Sequence, residues 1–155
     1  MTHLIIGNGI AGVTAAEAIR EMDTDSPVVM VSDEDLLPYS RPMLSQVLEG
    51  VQPFEKLPVR PPSFYDKLKI DPVLGQRVVT VDPSGQTAVL ADGRSLNYRR
   101  LLIAAGADPR RLTVPGSDLG NIFYLRTQED VRAQLAALDG ARRALVLGGG
   151  LVGFK

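Results

Sequence analysis

Six residues near the start of the chain, Gly7-Asn8-Gly9-Ile10-Ala11-Gly12, have the types and spacing to hold a pyrophosphate. Gly7 permits a tight turn. Gly9 lacks a Cβ, so an anion can approach its backbone. Gly12 lets a following helix pack closely on a preceding strand. The helix start adds free N–H groups and the positive end of its dipole. Asp33 and Glu34 follow about 20 residues past the last glycine, where a carboxylate would meet ribose hydroxyls. The spacing does not choose between the two acids. This chemistry is binding rather than proton transfer, and no catalytic or metal-ligating residue is nominated. His3, the sole histidine, opens a strand and is read as structural.

A G-x-G-x-x-G by itself is often only a turn, so the elements around it decide. Leu4-Ile5-Ile6 is the apolar run of a buried parallel strand. A helix is predicted from Ile10 to Met22, broken before Pro27, and a second strand over Val28–Val31. Arg41 lies in the stiff Pro38-to-Ser45 loop. Pro42 suits the first turn of a short helix over Met43–Leu48, which Gly50 ends. Gln52 to Pro62 reads as a connecting loop, and Ser63 as the cap of a helix over Phe64–Leu68. Ile70–Leu74, Arg77–Val81, Gln86–Leu90 and Ser95–Asn97 read as short strands of a small antiparallel insertion. Asp92-Gly93 marks a hairpin turn. Leu101–Ala105 reads as another buried strand, ending at Gly106. Thr127 should cap a helix to Leu138 that Gly140 stops. A strand over Ala144–Leu147 then leads to a second fingerprint, Gly148-Gly149-Gly150-Leu151-Val152-Gly153. The expected fold is α/β: a Rossmann-like, doubly wound parallel sheet with the antiparallel insertion.

Composition narrows the classes. The 155 residues carry a formal net charge of −1 and 45% hydrophobic residues, values of an ordinary globular protein. Nothing in the charge pattern points to nucleic acid. The chain has no cysteine, which excludes disulfides, thiolate metal sites and a dithiol redox centre. No apolar run approaches the roughly 20 residues of a membrane span. No basic segment precedes the first strand, so no signal peptide is expected, and the expected location is cytoplasmic.

The motifs together resemble the FAD-dependent pyridine nucleotide-disulfide oxidoreductase superfamily. The resemblance is carried by the first glycine fingerprint, Pro38–Ser45, Tyr98–Gly106, Leu125–Asp130 and the second fingerprint, all in order. Within the superfamily the chain is similar to rubredoxin and ferredoxin reductases, and most to the flavin domain of NADH-dependent nitrite reductases. The resemblance implies FAD and NAD(P)H as cofactors. Residues 1–140 would be the N-terminal portion of an FAD-binding domain, and residues 141–155 the start of an incomplete NAD(P)-binding domain. Gly7, Gly9, Ile10, Ala11 and Gly12 would line the FAD pyrophosphate. Asp33 or Glu34 would hold the ribose, and Val78 would meet the adenine region through its backbone. Arg41 and Pro42 would flank the flavin, and Ala105 and Gly106 would let the chain pass close to it. Gln46 and Lys155 occupy positions that lie next to the flavin in the family, and Arg126 is a further cofactor-binding candidate; Gly148, Gly150 and Gly153 would begin the NAD(P)H site.

Two departures qualify the match. Gln46 and Lys155 stand where the family often has a lysine and a glutamate, a paired change that suits the nitrite-reductase branch. Ala105 replaces a threonine, removing a hydroxyl whose hydrogen bond would be worth about 1 kcal/mol. The implied function is hydride transfer from NAD(P)H to FAD, with electrons passed to a protein or small acceptor. Two alternatives stand beside it: a dinucleotide-binding fragment or module without turnover, and a flavin-free NAD(P)-binding domain. An unfinished sheet edge would also favour a homo-oligomer.

Overall fold

A computed structural model describes residues 2–150. In chain order the elements are β1 (His3–Ile6), α1 (Ile10–Met22), β2 (Val28–Val31), α2 (Leu44–Leu48), α3 (Phe64–Lys67), β3 (Ile70–Val73), β4 (Val78–Asp82), β5 (Thr87–Leu90), β6 (Ser95–Asn97), β7 (Arg100–Ile103) and α4 (Gln128–Leu138). The chain divides into two compact units. The first holds the chain up to Tyr39 together with Pro58–Gly106; the second holds Ser40–Leu57 and the chain from Ala107 onward.

The first unit is built on a parallel sheet of order β3-β2-β1-β7. Strand alternation sends Ile5, Val28 and Met30 to the face covered by Val13 and Ala16 of α1, with Phe64, Tyr65 and Ile70. Leu4 and Val31 point the other way, against Ala88, Leu90 and Tyr98 of the antiparallel sheet β4-β5-β6. Both faces of β1 are thus covered, which is why it reads as a continuous apolar run. Each fully buried Leu, Ile or Val contributes about 1.5–3 kcal/mol. The last turn of α1 is fastened by Arg20. Its guanidinium donates to the carbonyls of Asp23 (3.0 Å), Ser26 (2.8 Å) and Lys69 (2.9 Å), and to that of Leu68.

In the second unit α2 packs on α4. The Thr127 hydroxyl accepts from the Asp130 amide (3.1 Å), and the Asp130 carboxylate accepts from the Thr127 amide (2.8 Å), forming a reciprocal cap. Helix α4 ends at Leu138, and Gly140 follows with φ +80°. Arg132 lies 4.0 Å over the Phe54 ring.

Several expectations need correction. Ile70–Val73 pairs parallel to β2, so the antiparallel insertion contains only β4, β5 and β6. Among the described residues β7 pairs only with β1, and Leu102 is 39% and Ile103 66% exposed, where the apolar run predicts a buried strand. Ala144–Leu147 forms no strand, and Leu145 is 86% exposed. A strand holds only when paired, and none of the described strands pairs with it. Ser63 occupies the cap position of α3 but its side chain makes no capping bond. The helix expected from Met43 begins with a 3₁₀ turn over Arg41–Met43, and another 3₁₀ turn, Phe54–Lys56, interrupts the Gln52-to-Pro62 loop.

Candidate functional site

The three glycines of the first fingerprint separate by what surrounds them. Gly7 leaves β1 with φ +120°, and a Cβ there would stand 2.2 Å from the Ala104 carbonyl oxygen. A Cβ on Gly12 would stand 2.0 Å from the Gly7 carbonyl oxygen. Both glycines are required by the protein's own backbone. Gly9 is different. Its φ of −82° is open to any residue, and a Cβ there would meet nothing within 4 Å. The first turn of α1 carries no side-chain cap, and Ile10 and Ala11 are exposed. The result is an open, uncapped helix start above a bare peptide, a surface suited to an anion.

This turn sits at the carboxyl ends of the parallel strands. Gly7 donates its amide to Val31 O (2.8 Å), and Ala104 donates to Ile6 O (2.7 Å). The chain leaves β1 toward β2 on one side, while β7 lies on the other, so the turn marks the point where strand order reverses. Ala105 and Gly106, exposed and with Gly106 at φ +73°, follow directly beside Gly7.

Beyond β2, the Glu34 carboxylate accepts from the buried Tyr39 hydroxyl (2.8 Å), while Asp33 is exposed. Ser32 is fixed by its amide to Val73 O (3.0 Å) and by its carbonyl to the Gln76 amide (2.8 Å). Asn8 reaches the same loop: its Nδ2 donates to Leu36 O (2.9 Å) and its Oδ1 accepts from the Tyr65 hydroxyl (3.0 Å). Burial pushes the Tyr65 hydroxyl above its ordinary range, with the Asn8 bond partly opposing. Sequence reasoning missed Asn8 and Tyr65, because their meeting depends on a contact between residues 57 apart. The polar residue between two glycines was the only available signal. On the outer side of α1, Arg60 grips Glu17 through two bonds of 2.7 and 3.0 Å, which lower the Glu17 pKa.

The remaining candidates are more scattered. Val78 starts β4, half-buried against the second core cluster, and pairs with Leu90 just before a register shift between Val78 and Thr80. Arg41, Pro42, Gln46 and Arg126 belong to the second unit. There Arg41 Nη1 donates to the Arg126 carbonyl (2.8 Å), and Arg126 Nε lies 3.5 Å from Asp108 Oδ1. Pro42 is exposed and Gln46 half-buried on α2. Gly148, at φ +114°, and Gly150 lie in chain without regular structure. Gly153 and Lys155 lie outside the described residues.

Comparison with known proteins agrees with this geometry. The chain is 38% identical to a ferredoxin–NAD(P)(+) reductase from Sphingomonas sp. over 98% of its length and 37% of that protein's. It is 35% identical to rubredoxin-NAD(+) reductase from Pseudomonas putida over 100% of its length and 40% of that protein's. The crystal structure of a ferredoxin reductase from Rhodopseudomonas palustris superposes with a TM-score of 0.89 at 33% identity, covering 98% of this chain and 38% of that one. The chain thus spans well under half the length of these relatives. The family model for pyridine nucleotide-disulphide oxidoreductases matches residues 1–155. By its fold, its glycine turn and this full-length match, the chain belongs to the pyridine nucleotide-disulphide oxidoreductase family.

Proposed function

We propose that this chain forms the FAD-binding front of a reductase that draws electrons from NAD(P)H and delivers them to an acceptor protein or small molecule. The observation that carries the reading is Gly9: at the N-cap of α1 its bare peptide faces open space, with nothing within 4 Å of where a Cβ would stand, so a pyrophosphate has room to approach the first amides of the helix. When bound, FAD would supply the redox chemistry, accepting a hydride from NAD(P)H and releasing electrons to the acceptor.

The chain's own residues would bind and orient. The amides at the start of α1 would face the pyrophosphate, with Gly9 leaving room for it. Asp33 would take the ribose hydroxyls, since one Glu34 oxygen already accepts from Tyr39. Val78 would contribute backbone near the adenine, and Ala105 and Gly106 would allow close passage. Arg41, Pro42, Gln46 and Arg126 would serve the flavin side; the bond from Arg41 to the Arg126 carbonyl supports treating these two as a pair. On this reading residues 1–140 serve FAD, and residues 141–155, with Gly148, Gly150, Gly153 and Lys155, begin the NAD(P)H-binding part.

The names of the relatives support a small iron–sulfur or rubredoxin-type protein as acceptor. A cytoplasmic location goes with dependence on reduced pyridine nucleotide. Among the described residues no helix is long and apolar enough to cross a membrane. Self-association would draw on the open edge of β7, to be read by sedimentation. The central test is the visible spectrum of the purified full-length protein. A flavin band near unit stoichiometry that bleaches with NAD(P)H supports the proposal. A colourless protein that binds NADH tightly would instead support a flavin-free nicotinamide domain.

A further inference from the structure

Asn8 links three segments that are distant in sequence. It lies between Gly7 and Gly9 in the anion-facing turn. Through Nδ2 it holds the Leu36 carbonyl, in the loop that carries Asp33 and Glu34. Through Oδ1 it accepts from Tyr65 of α3, a side chain only 6% exposed and packed edge-to-face on Phe64 at 5.3 Å. The Tyr65 hydroxyl is thereby anchored in the core, and it orients the Asn8 amide so that its NH₂ faces Leu36. No aspartate could make both bonds while ionised, and no leucine could make either.

The acidic loop is consequently held at three places. Its beginning is tied to the β3 side through Ser32, Glu34 is tied to Tyr39, and Leu36 is tied to Asn8. Asp33 is exposed between these ties. The Asn8 bond joins the loop directly to the glycine turn. Beside the Gly7–Val31 backbone bond at the end of β2, it ties the turn to the acidic loop itself, between the place for a pyrophosphate and the place for a ribose.

We propose that Asn8 is a positioning residue that couples the two halves of the nucleotide site, with Tyr65 fixing its orientation. The inference rests on the dinucleotide reading of this site. A ligand that spans turn and loop gains from a frame assembled beforehand, because less loop ordering remains to be done on binding. A ligand that touches only the turn gains nothing from it. Asn8 would therefore act selectively, on adenosine diphosphate groups and not on a bare anion.

The experiment uses full-length protein freed of bound nucleotide, with ADP and inorganic pyrophosphate as probes. Asn8→Ala is expected to weaken ADP about five- to tenfold. Pyrophosphate, followed by NMR titration, should change less than about twofold, within the scatter expected for a lost contact it never makes. Amides of residues 33–37 should exchange faster with solvent in the ligand-free variant. Tyr65→Phe keeps the ring packing and should give a smaller loss in the same direction, which guards against misfolding of the alanine variant. Equal weakening of both probes would mean that the turn itself had deformed, and would overturn the proposal. So would unchanged ADP affinity, or unchanged exchange in the loop. Wild-type protein that bound neither ADP nor FAD would sink the nucleotide reading itself, an outcome distinct from wild-type binding that is indifferent to Asn8.

Discussion

Gly7 and Gly12 touch through their backbones: a methyl group on Gly12 would lie 2.0 Å from the Gly7 carbonyl oxygen. That contact seats α1 against the exit of β1. It makes two of the three fingerprint glycines structural and leaves Gly9 alone to face outward.

The contrast gives a paired test. Gly12→Ala should destabilise the fold by about 1–3 kcal/mol or prevent folding, because rigid backbone must move. Gly9→Val should cost the ligand-free protein no more than about 1 kcal/mol, as a poorer N-cap with no clash at Cβ, and abolish FAD binding. Calorimetry and flavin titration on both variants separate the two effects. Unaltered FAD affinity in Gly9→Val would remove the basis for placing the pyrophosphate there.

Thr127 and Asp130 cap α4 reciprocally, and Asp130 also accepts from the Arg126 amide at 3.0 Å. Thr127→Ala should cost about 1 kcal/mol of stability, measured by urea denaturation. Thr127→Ser should recover most of it, since the hydroxyl acceptor is restored.

Asp23 supplies a pH test. Hydrogen bonds from Ser26, side chain and main chain, and from the Asp25 amide hold its carboxyl well below the usual carboxylate range, and His3 lies 3.7 Å away. A depressed folded-state pKa contributes stability that is complete above the unfolded value, near about 4, and is lost as pH falls toward the folded value. The melting-temperature advantage of wild type over Asp23→Asn should be flat at neutral pH and shrink below about pH 4. An advantage that grew on acidification would contradict the assignment.

Lys69 has φ +47°, a left-handed conformation without glycine, and its carbonyl is held by Arg20. Lys69→Gly should relieve about 1–2 kcal/mol of backbone strain against about 0.5–1 kcal/mol of lost chain entropy, a small net gain. Lys69→Val should destabilise. Thermal denaturation of the two variants reads the sign directly.

Local patterns in the sequence were enough for β1, α1, β2 and α4. In each, an apolar period, a glycine or proline stop, or the Thr127 cap is contained within the segment itself. The role of Gly12 was equally legible, because it answers to Gly7 five residues away; the close approach of Gly7 to Ala104 was not, since only the pairing of β1 with β7 brings the two together. Ile70–Val73 was misassigned to the antiparallel group, since four short residues do not say which sheet will accept them. The same limit applied to β7, whose apolar run reads as buried although Leu102 and Ile103 are exposed among the described residues.

Taken alone, the order of residues determined the α/β class, the glycine turn and the family, because these rest on short-range spacing and backbone sterics. Tertiary structure alone decided that Asn8 bridges Leu36 and Tyr65, that Tyr39 engages Glu34 while Asp33 is exposed, and that Arg20 gathers four carbonyls. Such bonds join groups that only the packed chain brings within about 3 Å, and no local periodicity encodes which distant partner will satisfy a buried polar atom.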